Sequence, residues 1–314
     1  MAYTNSNSNF TTSTGIAPSL QTYYNRTLLQ SFEPELVHLQ FGETYPMPRN
    51  NGMVMNMRKI VPLAAKTTEL AEGNPGEGVL LSETQVTVPL KQYGDYSNFS
   101  DLFDMANIDC NLTRKVELFA NAGARSVDAV AREELATCTN VIYANGKTSR
   151  SSLTSADKLT SKELRKAVRM LKKANAQRFG GYYVAIVGPE VVYDLQDDES
   201  FVRVSQYSDS ENIYSGEVGR LFGVRLVETS EAKIFSGAGS SGADVASIIV
   251  LGKYAYGVTS WKGAKPRVII KPSGSAGTAD PLDQISSVGW KMDGFGVKLL
   301  QPEYAVRIEC GFTA

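Results

Sequence analysis

The chain has 314 residues, 42% hydrophobic and 21% charged, enough to bury the core of one large domain or of two to three closely joined ones. Its net charge of −1 lacks the basic excess of a protein whose whole surface grips nucleic-acid phosphates. No apolar run approaches the ~18 residues of a membrane helix, and the opening MAYTNSNSNFTTSTG has neither the basic nor the apolar region of a secretory signal. With no secretion route in view, the Asn-x-Ser/Thr matches at Asn9, Asn25, Asn98 and Asn111 read as chance. Cys110, Cys138 and Cys310 are odd in number and far apart, which argues against a disulfide framework or a cysteine metal site and for reduced, partly buried thiols.

Residues 1–15 are rich in Asn, Ser and Thr and are expected to order only when a neighbouring chain or the body of the fold holds them. IAPSLQTYYNRTLLQS, residues 16–31, reads as a short amphipathic helix. His38 is the only histidine and sits in an apolar stretch. A catalytic histidine needs a nucleophile or an orienting carboxylate, and a histidine metal site needs more than one imidazole. A packed or interfacial role is therefore expected.

From residue 51 the pattern switches to period two. Met53, Met55 and Met57 alternate with Val54, Asn56 and Arg58, and Thr84, Val86, Val88 and Leu90 alternate with Gln85, Thr87 and Pro89. Between the two runs lies LAEGNPGEGVLLSE, residues 70–83, whose glycines and proline mark a turn. The whole reads as a long hairpin with a loose acidic tip. Two strands alone are marginally stable in water, so the Met and Val faces need cover from elsewhere. If the hairpin projects, that cover comes from another subunit.

A long helix follows, predicted from residue 112 to about residue 140. Leu112, Val116, Phe119, Gly123, Val127 and Val130 form its apolar stripe. A second helix begins at Thr160 and Glu163, a capping-box pair, with Leu164, Val168, Leu171 and Ala174 as its stripe and Gly180 as its stop. YYVAIVGP (182–189), GVRLVET (223–229) and the run around Ile248 read as strands, and VVYDL (191–195) as helix. GAGSSG, residues 237–242, matches a dinucleotide-loop pattern letter for letter. The β-branched run that follows it predicts a strand, not the helix N-terminus the mechanism requires, so it reads as a flexible surface loop. PRVIIKP (266–272) and residues 297–310 close the chain as strands, with Pro302 marking a bend. No catalytic set emerges, no cofactor is expected, and the fold class reads as α+β.

The order of parts resembles the Hong Kong 97-type fold of tailed-phage major capsid proteins. Residues 70–104, with QYGDY (92–96) and SDLFD (100–104), resemble the extended loop and return strand of the Enquatrovirus-type branch. Residues 108–141 resemble its spine helix, and VGWKMDGFGVKLLQPEYAVRIE (288–309) its closing strand. The resemblance covers most of the chain and rests on several blocks in order, not on one short signature. It implies an N-terminal arm at 1–47, an extended hairpin loop and return strand at 48–105, and a peripheral domain with the spine helix at 106–154. An axial domain at 155–285 and closing peripheral strands at 286–314 complete it.

The implied function is structural: pentamers and hexamers closing into an icosahedral shell around packaged double-stranded DNA, which the subunits contact weakly and non-specifically. Implied partners are further copies of the chain, a separate scaffolding protein, a portal and a decoration protein, with synthesis in a bacterial host cytoplasm. On that reading Met53, Met55 and Met57 supply apolar hairpin contact. Glu69, Glu72, Glu77 and Glu83 face basic groups of a neighbour, with Arg58, Arg114 and Arg125 as partners, and Arg132 extends the charged spine surface. Gly73, Gly76 and Gly78 let one tip fit five-fold and six-fold surroundings. A cellular nanocompartment shell of the same fold, and an enzyme with a site hidden in residues 155–285, are the alternatives.

Overall fold

The structure is a computed structural model that describes residues 37–60, 63, 65–67, 69, 78–102, 112–197, 220–262, 266–275 and 280–313. The expectations for the arm at 1–15 and the helix at 16–31 lie outside these residues. Strand β1 (Glu43–Met47) is followed by β2 (Val54–Ile60), β3 (Glu83–Pro89) and β4 (Lys91–Ser100), then helix α1 (Leu112–Leu135) and β5 (Val141–Tyr143). Helix α2 (Ser161–Lys173), β6 (Tyr183–Val187), α3 (Pro189–Gln196), β7 (Arg220–Leu221), β8 (Val224–Glu228), β9 (Ile234–Phe235) and β10 (Val245–Leu251) come next. The chain ends with β11 (Tyr256–Trp261), β12 (Arg267–Lys271), β13 (Ile285–Leu299) and β14 (Ala305–Cys310).

The first sheet is organised by β13. Antiparallel β4 runs along one side of it; β11 and β12 follow each other along the other, pairing Tyr256 with Leu299 and Lys271 with Ser287 at the extremes. The register slips between Met292 and Phe295. There Gly294 adopts φ +61° with the Trp261 ring where a Cβ would sit, 2.5 Å away, so no side chain fits the bulge. β1 adds in parallel outside β11.

Helix α1 packs on this sheet through Ala120, Ala124, Val127, Ala131 and Leu135 against Trp290, Met292, Phe295 and Val297. Small residues on the helix meet large ones on the sheet, which lets the axis approach closely at high packing density. The buried stripe is thus turned toward alanines, and Phe119 and Val130 lie half-buried on its flanks. The helix stops five residues earlier than its pattern suggested. Thr137 donates its hydroxyl to the Glu134 carbonyl at 2.7 Å, competing with the helical ladder, and the chain turns into β5.

The second sheet has the order β5-β14-β10-β6-β8-β7, with β9 beside the start of β10. β6 and β10 are buried along their whole length, as continuous apolar runs predict. Helices α2 and α3 share its core through Leu164, Ala167, Val168, Leu171, Val191 and Leu195. At Pro302–Tyr304 a single 3-10 turn carries the chain from β13 in the first sheet to β14 in the second, the bend Pro302 announced. Strand pairing therefore runs across the 154–155 and 285–286 divisions: β5 and β14 belong to the sheet of β6, while β11 and β12 belong to that of β13.

Three local readings need correction. Thr160 and Glu163 do meet, but hydroxyl to carboxylate directly, and the Thr160 side chain makes no cap bond to the backbone. Asn175, at φ +56°, closes α2 in place of Gly180: Asn175 N–H donates to Lys172 and Ala176 N–H to Leu171, both at 3.0 Å, the paired bonds of a Schellman ending. The 237–242 segment does precede a strand, but it is tied down: the N–H groups of Gly237 and Ser240 donate to Asp244 Oδ1 and the Leu153 carbonyl, each at 2.7 Å.

Buried polar groups join the parts. The His38 backbone N–H donates to Asp128 Oδ1 at 2.8 Å, its ring Nδ1 lies 2.5 Å from Asp128 Oδ2, and the Tyr256 hydroxyl donates to the His38 carbonyl. His38 and Asp128 are both buried. Glu309, fully buried on β14, accepts two bonds from the Arg150 guanidinium, at 2.8 and 2.7 Å. Asp194 accepts from Lys158 at 2.8 Å and from the Thr313 N–H and hydroxyl at 2.9 and 2.7 Å, fastening the chain end to α3. Burial alone would raise the Asp194 carboxyl, but these donors outweigh it and hold it below the ordinary carboxylate range. Burial raises the Cys138 and Cys310 thiols, and both cysteines are free.

Removing the imidazole with His38→Ala leaves a buried carboxylate short of a partner, and a loss of about 3 kcal/mol in urea unfolding is expected. Because the folded Asp194 carboxyl binds its proton less readily than the unfolded one, its contribution is lost as pH falls below about 4. Asp194→Asn should lower the unfolding midpoint at pH 7 and flatten its decline between pH 4 and 2; an unchanged acid slope contradicts this assignment.

Candidate assembly surface

Strands β2 and β3 pair antiparallel from Val54–Pro89 to Ile60–Glu83, as their alternation predicts. The ribbon is rooted on the first sheet. Val88 and Leu90 are buried, the Leu90 N–H donates to the Met53 carbonyl at 2.8 Å, and the Pro89 carbonyl lies 2.6 Å from where a Cβ on Gly296 would be. A glycine at 296 is what allows β3 to lie that close to β13.

Cover fades with distance from this root. Val86, Met55 and Met57 are half-buried, on the face that also carries Lys59, whose ammonium reaches Glu303 at 3.3 Å. Met53 precedes the strand and is 59% exposed, so it does not share the cover of the other two methionines. Toward the distal end Val79, Leu80 and Leu81 are 62%, 93% and 71% exposed, with Leu63 at 56%. Burying one such aliphatic side chain is worth about 1.5–3 kcal/mol. A ribbon that leaves several of them in water is strongly biased toward a second surface.

The Val79–Leu81 trio escaped the sequence reading, which weighed the acidic residues and glycines of the same strip. Its signal is three aliphatic residues in a row between Gly78 and Ser82, with no alternation to give them a protected face.

The charged candidates divide. Arg58 meets Glu83 across the ribbon at 3.7 Å, both well exposed, so this pair forms within one chain. Arg125 reaches Glu231 at 3.6 Å and stays largely exposed. Arg132 is held inside its own subunit: it donates to the Glu231 carbonyl at 2.9 Å and pairs with Glu133 at 3.3 Å. Glu69 and Gly78 are exposed. Glu72, Gly73, Gly76, Glu77 and the Arg114 side chain lie outside the described residues. Exposed pairs of this kind are worth ~0–1 kcal/mol each, so they set register more than strength.

Among the described residues no group of three or more His, Cys, Asp and Glu side chains is placed to hold a metal ion. The His38–Asp128 pair has the look of two-thirds of a catalytic triad, but it is sealed in the interior, where it joins α1 to the chain entering β1.

Comparison with known proteins fits this picture. The structure is similar to a subunit in the capsid asymmetric unit of cyanophage Pam1, with TM-score 0.70 and 13% identity over 90% of this chain and 92% of that one. It is similar to the capsid of Ralstonia phage GP4, with TM-score 0.68 and 12% identity over 87% and 88% of the two chains. The virus-like particle of Pyrococcus furiosus is a more distant likeness, at TM-score 0.53 and 10% identity over 91% of this chain and 98% of that one. No curated protein matches. At such identities the likeness establishes the fold, which is the Hong Kong 97-type capsid fold. A family model described as phage capsid protein matches residues 83–308, well over half of the sequence. The chain belongs to the phage capsid protein family, whose members are structural proteins and not enzymes.

Proposed function

We propose that this chain is the major capsid subunit of a tailed phage of the Enquatrovirus-type branch, and that its copies form pentamers and hexamers closing into an icosahedral shell around double-stranded DNA. The observation that carries the reading is the ribbon β2–β3, rooted by Val88 and Leu90 and exposing Val79, Leu80 and Leu81 at its far end. Such an element is completed by a neighbouring subunit. Head-to-tail contacts of this kind close into rings when the rotation permits.

In this scheme the ribbon and α1 present the interface, with Met53, Arg58, Glu69, Gly78 and Arg125 at accessible positions. Arg132 props α1 from within. The division into arm, extended loop, peripheral domain and axial domain follows the family plan, with β5 and β14 joined to the sheet of β6 and with β11 and β12 joined to that of β13. A scaffolding protein, a portal and a decoration protein are the expected companions, and the bacterial cytoplasm the place of synthesis. Enclosure of enzyme cargo, the runner-up, leans on fold likeness alone, whereas the family match runs to phage capsid proteins.

The variant Leu80→Asp with Leu81→Asp tests the interface. Both side chains are exposed, so circular dichroism and the unfolding midpoint of the subunit should be unchanged. Losing about 1.5–3 kcal/mol per residue at every contact corresponds to more than a tenfold weakening per contact. Closed particles, counted by electron microscopy and light scattering, should all but disappear. Normal shells from this variant would remove the ribbon from the assembly surface.

A further inference from the structure

Helix α2, SKELRKAVRMLKK, carries its apolar stripe of Leu164, Ala167, Val168 and Leu171 against the second sheet. The opposite face is cationic from end to end. Lys162, Arg165, Arg169, Lys172 and Lys173 are exposed and Lys166 is partly so. Thirteen residues thus hold six of the chain's 32 lysines and arginines. The only acidic residue of the helix, Glu163, is buried, engaged by the Thr160 hydroxyl and 3.6 Å from Lys166. Each of the six positions has a partner three or four residues away, Arg165 and Lys166 and Lys172 and Lys173 being adjacent in sequence, and together they form one band about 16 Å long.

Helix stability does not account for this stripe. Lys172 and Lys173 in the last turn suit the helix dipole, but Lys162 and Arg165 sit near its positive end, where cations are unfavourable. Lys162 with Lys166, Arg165 with Arg169, and Arg169 with Lys173 are like charges four residues apart, each destabilising by a few tenths of a kcal/mol. A nearby polyanion would relieve this repulsion.

We propose that the exposed face of α2 is a contact surface for the phosphate backbone of double-stranded DNA. Duplex DNA offers one charge per about 1.7 Å of axis, so a 16 Å stripe faces enough phosphates to engage all six cations. The exposed residues of α2 itself are all charged, and the one exposed aromatic beside them, Phe222, sits under the Arg165 guanidinium, whereas a protein partner would need an apolar centre inside its polar rim. Phosphate needs only cations, and two of the six are arginines able to bind it through two N–H groups at once. With no base-reading geometry, binding is independent of sequence and strongly salt-dependent, suited to holding packaged DNA without fixing it. The proposal rests on the shell reading, because packaged DNA is what brings phosphates to the subunit.

The test compares the full-length chain with the variant K162Q, R169Q, K172Q and K173Q, which leaves Lys166 beside Glu163 and Arg165 over the Phe222 ring. Binding of a labelled 30-base-pair duplex is followed by fluorescence anisotropy across salt concentrations. With four or more cations engaged, log K against log salt for the wild type should fall with a slope of about −3 to −5. The variant should bind at least tenfold more weakly at low salt with a slope near −1. Equal slopes for the two proteins overturn the proposal. So does tighter binding of polyglutamate than of the duplex, which would make an acidic protein the occupant. Particle assembly is scored in parallel: normal shells with unaltered DNA binding reject this inference alone, whereas wild-type protein that never forms shells rejects the capsid reading. In DNA-filled particles, K172C bearing a photo-cross-linker should yield a DNA adduct; none in filled particles places this face away from the genome and overturns the assignment.

Discussion

A ribbon of two strands has two faces, and its own subunit can shelter only the part that lies near the root. In this chain the shelter ends within a few residues. Val88 and Leu90 are enclosed, Val86 is half covered, and by Leu80 and Leu81 the side chains stand in water. The close approach of Pro89 to Gly296 fixes where the ribbon leaves the sheet. The rest of the fold can be seen as a platform for that departure. β13 is long enough to hold β4, β11 and β12, and α1 braces it with a row of alanines against Trp290, Met292, Phe295 and Val297.

The platform is stiffened by polar groups that span distant parts of the sequence. His38 contacts Asp128 on α1 and Tyr256 on β11, joining the start of the described chain to the spine and to the first sheet. Glu309 with Arg150, and Asp194 with Thr313, do the same around the second sheet. Each buries charge, which is costly unless every partner is present. Such contacts contribute less to net stability than to a single permitted arrangement of helix α1, the two sheets and the chain end within one subunit.

Much of this was legible in the sequence because it depends on local periodicity. The alternation of Met55, Met57, Val86 and Val88 predicted the two strands of the ribbon, and the stripe of Leu164, Val168 and Leu171 predicted α2. The family resemblance came from several blocks in the right order and was matched by the family found for residues 83–308. What escaped depends on partners distant in sequence or on choices among near-equal local options. The pairing of β11 and β12 along one side of β13 is set by a bulge that no periodicity announces. Asn175 took the left-handed ending that Gly180 was expected to supply, since asparagine tolerates that conformation and lies where the apolar stripe ends. Of the surface residues, Arg132 carries the same letter as Arg125, and only the position of Glu231 and Glu133 separates a group spent internally from one left outside.

The enclosed imidazole has a practical corollary. Since the chain contains one histidine, a single pair of ring C–H resonances in a proton-detected spectrum belongs to the junction of His38, helix α1 and β11. Any change of shape in the free subunit that loosens this junction would shift those resonances.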